Sequence, residues 1–510
     1  MHKHTSSKIR EYAESLSIAF ILAMIIRCFV LEAFKIPTGS MEPTLRGDPS
    51  EGDRILVSKF YYTVHDPERW DIFVFYCPDR EKRDKHYIKR LIGKPGETIR
   101  IYNGNIYVNG KLAQKPPDVQ QTLWRKLADE KMVLGAELLY RLNNDRGIEA
   151  RWVREVNAIE YEEQLRLLEN HTPAEYVYLS SKRRAESALP KKISSAGLPE
   201  TFGMRRYGTS SPEYTVWLKQ RNDDDPRIRK LNDRYLADAP ALLKSGMLKA
   251  WDLNGFNLKD DGGLVAADDS ASAVYRRKLV DGRFSDHLEW ITDGRFVRQD
   301  PRIGAGQNDV GDIKLRLDVV IPESGGSWSA ATQGNGMQFE VKLSAGNGGK
   351  ARLELRRDGE EVASDESEST GSGKFTVTLA NVDGICSAAA TGASGGESGA
   401  FSVTNDYRNL TVLDGKPSTL RIQATKGVSV DDIELWRDVY YCKDTQRTLD
   451  GKREWGKDGS YVLRDNEFLA LGDNSTNSAD SRYWGPVPGP NIVGKAFFIL
   501  TPLRRLGFME

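Results

Sequence analysis

Two residues of the 510-residue chain have the types and surroundings that acyl-transfer chemistry requires. Ser40 stands in "FKIPTGSMEPTL", residues 34–45, where Pro37, Gly39 and Pro43 rule out a regular helix. Lys89 stands in "YIKRLIG", with Tyr87 and Leu91 on its own strand face. A hydroxyl attacks a peptide carbonyl only if a base takes its proton, and a neutral lysine amine can be that base. At a reference pKa near 10.4, roughly one amine in 2,500 is neutral at pH 7, so a working lysine needs apolar surroundings. The text around Lys89 meets that condition, although a solvated strand lysine is the plain alternative. Only six His occur, none in an H-E-x-x-H pattern, so a zinc hydrolase is not expected.

The elements that must position these residues read as short strands. From Gly52 to Gly110 the chain gives "DRILVSKF", "WDIFVFYC", "HYIKRLIG" and "ETIRIYNGNIYVNG", with Asn103-Gly104 and Asn109-Gly110 as hairpin turns. This predicts an antiparallel β-domain over 35–110, resumed over 443–510 after a long insertion. Residues 111–250 carry helical spacing, as in "TLWRKLADEKMVLGAELLYRLN", and are charged and irregular, which predicts a mostly helical first part of the insertion. Residues 251–442 return to period two, as in "KARLELRRDG" and "KFTVTLANV", between Gly/Ser-rich turns; a β-sandwich or jelly roll is expected. The fold class is therefore mainly β.

Ahead of Ser40 lies "SIAFILAMIIRCFVLEA", residues 17–33. Residues 16–34 give about 19 positions, enough at roughly 1.5 Å each to approach a hydrocarbon core of about 30 Å. Arg27 interrupts the run, at about 2.5–3.5 kcal/mol on insertion scales, which the apolar residues Ile18 to Ile26 can offset. No small-residue cleavage site follows, so a retained transmembrane anchor is expected over 16–34, behind a cytoplasmic N-terminus at 1–15. Lys3, Lys8 and Arg10 favour that orientation.

Lys plus Arg and Asp plus Glu are both 73, so no net field points to nucleic acid as a partner. Four Cys without C-x-x-C spacing give neither a disulfide scaffold nor a metal signature; Cys77 and Cys442 could pair in an oxidising compartment or stay free. No metal and no cofactor is expected.

Three blocks, in order behind an apolar segment, resemble the bacterial type I signal peptidases, membrane-anchored Ser/Lys proteases: "FKIPTGSMEPTL", "YIKRLIGKPGE" and "GDNSTNSADSRYWG". The resemblance covers roughly 1–110 and 455–510. It implies Ser40 as nucleophile and Lys89 as general base. It implies an oxyanion hole from the Thr38 hydroxyl and the Ser40 backbone N–H, with Ser478 orienting the lysine. Phe34, Ile36, Leu45 and Ile88 would line shallow pockets that select Ala-x-Ala before the cut. Arg90, Asp473, Asp480 and Arg482 would support the site through ion pairs. Partners implied are secretory preproteins, the lipid bilayer and the secretion translocon, with the catalytic domain on the extracytoplasmic face of a bacterial cytoplasmic membrane. Departures are Ser475 and Thr476 in the third block, His86 before Tyr87, and the insertion, whose ligand the sequence does not reveal. Two other readings share parts of the pattern: a self-cleaving Ser/Lys regulator, and a membrane-tethered binding protein with an inert protease-like domain.

Overall fold

Strand text becomes strand on both sides of the insertion. The computed structural model describes residues 15–20, 30–47, 52–128, 250–276, 310–334, 336–346, 349–370, 372–392, 400–408, 419–442, 459–475, 478–501 and 505–509, with single positions at 244, 247, 248, 279 and 308. The chain divides into two compact units, Met1–Arg125 with Asp438–Glu510, and Lys126–Arg437.

In the first unit the N-terminal strands are β1 (Leu31–Lys35), β2 (Arg54–Ser58), β3 (Ile72–Tyr76), β4 (His86–Gly93), β5 (Thr98–Tyr102), β6 (Asn105–Val108) and β7 (Lys111–Leu112). The two halves of the sequence interleave. β1 pairs with β2, β2 with Ile492–Thr501, that long strand with β3, β3 with β4, and β4 with Glu467–Leu471, all antiparallel. A smaller sheet joins Ser460–Val462, β5, β6 and β7. Its turns are the expected ones: Asn103 and Gly104 have φ of 48° and 80°, and Asn109 and Gly110 have 51° and 80°. Positive φ at both central residues matches the twist of the flanking strands, and Asn and Gly tolerate it best.

The central strand β3 shows why the sheet holds. Its residues Ile72 to Phe75 are all buried. Ile72 and Val74 pack with Ile36, Met41, Leu45, Ile55 and Val57 on one face. Phe73 and Phe75 pack with Leu91, Phe468, Ala470 and Val487 on the other. At about 1.5–3 kcal/mol per fully buried large side chain, these two faces supply much of the cohesion of the unit.

Three boundaries differ from the sequence reading. Leu31–Phe34, the end of the expected anchor, are strand: they pair with Ile55–Ser58. Residues 21–29 of that segment lie outside the described residues, and among the described residues no helix is long and apolar enough to cross a membrane. The first unit also extends past residue 110, because Lys111–Leu112 pairs with β6 and Val119 and Leu123 enter the core with Ile99 and Ile101. It resumes at Asp438 rather than 443, since Val439 and Tyr441 belong to the same core. Of the expected helical stretch, Pro117–Leu123 is a helix, Arg125–Ala128 is strand, and 129–243 lie outside the described residues.

The second unit holds two antiparallel sheets. One runs Phe256–Leu258, Leu264–Ala266, Ser429–Arg437, Ile313–Ile321, Gly373–Val382, Ile385–Gly392, Ala400–Asp406. The other runs Glu360–Thr370, Lys350–Arg357, Met337–Ala345, Gly326–Gly334, Thr419–Ala424, Ala271–Tyr275, Trp251–Asn254. The period-two text is expressed directly: Ala351, Leu353 and Leu355 are buried while their neighbours face outward. Cys77 and Cys442 are separate buried thiols in the structure.

Candidate active site

Ser40 lies in a single 3-10 turn, Gly39–Met41, entered from Thr38 in extended conformation (φ −136°, ψ 147°). The Pro-bracketed text gives the chain no longer helix to join, and Met41, fully buried among Ile36, Leu45 and Val74, pins the turn to the core. Lys89 projects from β4 opposite Phe73 of β3. Its Nζ lies 2.7 Å from Ser40 Oγ, donates to the Ile88 carbonyl at 2.9 Å, and stands 5.8 Å from the centre of the Tyr87 ring. The side chain is 2% exposed. Burial lowers its pKa to about 8, against the opposing pull of Asp480 and Asp473 and with help from Arg482. At pH 7 about one amine in ten is then neutral, more than a hundredfold above an ordinary lysine.

Two buried bidentate ion pairs frame this centre. Arg90 Nε and Nη2 each donate to Asp473 at 2.8 Å. Arg482 Nε donates to Asp480 Oδ1 at 2.8 Å and Nη2 to Oδ2 at 2.7 Å. Burial pushes the Asp480 carboxyl up, but the Arg482 charge, its hydrogen bonds and the Gly472 N–H together hold it below its ordinary value. Forked pairs of this kind add geometric definition to charge, and removal of one partner strands the other inside the protein.

Gly472 is where the third block meets the Ser40 turn. A methyl group there would sit 2.5 Å from the Ser40 carbonyl oxygen and 2.2 Å from Ser478 Oγ, so only glycine fits. Ser478 is thus brought to the site. Its Oγ is buried, makes no hydrogen bond of normal geometry among the described residues, and acts on Asp480 only weakly, as the last of the influences that lower that carboxyl. Its expected bond to Lys89 is therefore not among the contacts of Nζ described above. Thr38 is exposed and its hydroxyl does not cap the 3-10 turn.

Of the four expected pocket residues, Phe34 and Ile88 are half-buried and pack beside the Ser40 loop. Ile36 is 2% exposed, and Leu45 has no exposed surface at all. The turn after Ser40 folds Leu45 under the loop, with its N–H bonded to the Met41 carbonyl. His86 is exposed and stacks near both Phe34 (5.0 Å) and Tyr76 (4.4 Å).

Several residues that hold the loop were not singled out by the sequence. Asn474 donates from Nδ2 to the Gly39 carbonyl (2.9 Å) and from its backbone N–H to the Ser40 carbonyl (3.1 Å). Thr44 donates to Asp473 Oδ2 at 2.6 Å and accepts from Arg90 Nη2 at 3.1 Å. Arg125 donates to the Glu42 carbonyl. Gly47 lies against the Thr38–Gly39 peptide, where a methyl group would come within 1.9 Å of the Thr38 oxygen. The signals that could have marked them are the place of Thr44 in the first block and of Asn474 in the third, beside Asp473.

Residues 9–188 and 413–501, more than half of the chain, match the family described as "Signal peptidase, peptidase S26". A probable signal peptidase I-2 of Synechocystis sp. is 41% identical over 133 residues, which cover 24% of this chain and 59% of that protein. Signal peptidase I of Leptolyngbya laminosa is 37% identical over 139 residues, 25% of this chain and 66% of that protein. Signal peptidase I of Pseudomonas aeruginosa is 34% identical over 144 residues, 26% of this chain and 45% of that protein. The chain spans about half to two thirds of the length of these relatives.

Proposed function

The chain belongs to the signal peptidase family, peptidase S26, and on that premise we propose that it is a serine endopeptidase that removes signal peptides from secreted precursors after Ala-x-Ala. The observation that carries this reading is the 2.7 Å contact between Ser40 Oγ and the buried Lys89 amine. Neutral Lys89 takes the Ser40 proton as Oγ attacks the scissile carbonyl, and the Ile88 carbonyl keeps one amine N–H occupied so that the lone pair faces Ser40. The oxyanion is held by the Ser40 N–H and the Thr38 hydroxyl, each donor being worth roughly 2.7–4 kcal/mol in comparable sites. The resulting ammonium protonates the leaving amine, and the same amine then activates water against the acyl-serine ester. Ser478, enclosed beside Gly472, keeps the lysine in place as the substrate settles. Phe34 and Ile88, with surface left to offer, select small side chains.

The apolar segment ahead of β1, residues 16–30, anchors the chain in the cytoplasmic membrane, with both units on the extracytoplasmic face beside the translocon. A precursor still held by its own apolar segment then meets Ser40 at the membrane surface. The two sheets of the insertion form a sandwich-like module that recruits particular precursors.

The test is cleavage of a precursor with an Ala-x-Ala site by detergent-solubilised protein. Ser40→Ala and Lys89→Ala should each abolish cleavage, and chelators should leave wild-type cleavage unchanged. Near-full activity in Lys89→Ala would refute the mechanism.

A further inference from the structure

Asp438–Cys442, the segment by which the chain returns from the insertion, lies in the first unit with all but half-buried Tyr440 buried, and is bonded to the framework around Ser40 and Lys89. Asp438 pairs with Lys115 at 2.9 Å and accepts from Gln120 at 2.7 Å. The Tyr441 N–H donates to the Gly104 carbonyl at 3.1 Å, and Val439 and Tyr441 sit in the core under β5 and β6. This strap is therefore fixed along its length, and its far end touches both ion pairs.

The Arg482 guanidinium has five N–H groups, and each has an acceptor. Two go to Asp480; Nη2 also reaches the Ser475 carbonyl (2.8 Å), and Nη1 reaches Ser475 Oγ (2.6 Å) and the Cys442 carbonyl (2.8 Å). Ser475 Oγ accepts at the same time from the Cys442 N–H at 2.8 Å, so both of its lone pairs are used. At the other pair, the Tyr441 hydroxyl stands 3.5 Å from Asp473 Oδ1. The next residue, Asn474, holds the Gly39 and Ser40 carbonyls.

We propose that Ser475 and Tyr441 are positioning residues for the Ser40–Lys89 pair, acting through the clamp that the Asp438–Cys442 strap closes on Arg482 and Asp473. The inference rests on the proteolytic reading above and deepens it. Ser475 occupies one of the two departures noted in the third block, so the clamp belongs to this chain's own version of the site. The charged groups that act on Lys89 are Asp480, Asp473, Arg482 and the Cys77 thiol, with the Ser40 hydroxyl and the Tyr87 ring in contact. Asp480 favours the ammonium and Arg482 disfavours it. A guanidinium released from Ser475 neutralises Asp480 less well, so Lys89 holds its proton to higher pH.

The experiment uses the full chain in detergent, as wild type, Ser475→Ala, Ser475→Thr and Tyr441→Phe. Lys89 is titrated by carbon-13 NMR of lysine-labelled protein, assigned with Lys89→Met, and cleavage of an Ala-x-Ala peptide is followed against pH. Ser475→Ala should move the Lys89 midpoint and the acid limb of kcat/KM upward together by about half a pH unit or more, with KM unchanged. Ser475→Thr should restore both. Tyr441→Phe, which keeps its ring in the core, should lose about 3–10-fold in kcat at unchanged KM and thermal stability. A Lys89 midpoint that stays at the wild-type value in Ser475→Ala, or a threonine that fails to restore it, overturns the inference. Should Ser475→Ala not fold, Tyr441→Phe decides alone, and full kcat overturns. If the wild type does not cleave but the midpoint moves as stated, the proteolytic reading fails and the positioning role stands.

Discussion

The proposed base role requires Lys89 to be buried, and the same burial weakens the fold at neutral pH. Its pKa in the folded protein is about 8, against an ordinary 10.5, because an ammonium inside the β3–β4 sheet has lost its water. Between those values the unfolded chain binds a proton that the folded one does not, so stability rises with pH across that window. Below about pH 8 the full penalty applies, about 3 kcal/mol from the gap between the two pKa values. Lys89→Met should therefore be inactive yet more stable than wild type at pH 7 by about 1–3 kcal/mol in urea unfolding, with the gain fading towards pH 10. A destabilised methionine variant would mean that the amine is held by attraction rather than tolerated for chemistry. Activity carries the opposite requirement: kcat/KM should climb about tenfold per pH unit below pH 8 and level off above it, since only the neutral amine accepts the Ser40 proton. A flat profile from pH 6 to 8 would contradict the base role.

The elements meet at glycines, and this is the scale at which small changes should be most damaging. Gly472→Ala forces a methyl group against the Ser40 carbonyl and Ser478 Oγ, and Gly47→Ala forces one into the Thr38–Gly39 peptide. Overpacking of this kind costs about 1–3 kcal/mol, and here the strain falls on the Ser40 turn itself. Each should therefore lose more activity than stability, on the order of a hundredfold in kcat, since a misplacement near 1 Å is enough for that. Gly110→Ala is the control: φ is +80° but nothing lies within 4 Å, so it should cost about 1 kcal/mol and leave kcat alone. The sequence made much of this legible, because period-two alternation, Asn-Gly turns and a lysine in apolar text are local signals. Arg90 and Asp473 were readable only through the family pattern, and their bond joins residues 383 positions apart. Thr44 and Asn474 stand inside the quoted blocks without any sign of their partners, and Tyr441 stands outside them, so none shows its role until the strands from both ends of the chain are laid side by side. Leu45 shows a related limit of text: an apolar residue near Ser40 reads the same whether it faces a substrate or the core.

At the scale of the molecule, the first unit is woven from both ends of the chain. Ile492–Thr501 lies between β2 and β3, and Glu467–Leu471 pairs with β4, so the main sheet is only the separate pairs β1–β2 and β3–β4 before the insertion has been passed. Yet every member of its three core clusters lies within Met1–Arg125 or Asp438–Glu510, and so do Ser40, Lys89 and both ion pairs. Loop closure grows only slowly with length, by about 0.6 kcal/mol per doubling, which is why an insertion of this size can be carried at all. Replacing residues 126–437 by a Gly/Ser linker, with the Asp438–Cys442 strap retained, should therefore leave a folded unit that cleaves a short Ala-x-Ala peptide within about threefold of the full chain. Cutting back to residues 111–442 should not, because Val119, Leu123 and Tyr441 leave the core and Arg482 loses the Cys442 carbonyl. Full precursors provide the contrasting measurement. If the insertion recruits them, the linker variant should lose about tenfold in kcat/KM on precursors while keeping the short peptide, each tenfold being about 1.4 kcal/mol of binding. Equal losses on both substrates would show that the insertion supports the fold of the first unit, and no loss on either would remove it from substrate choice.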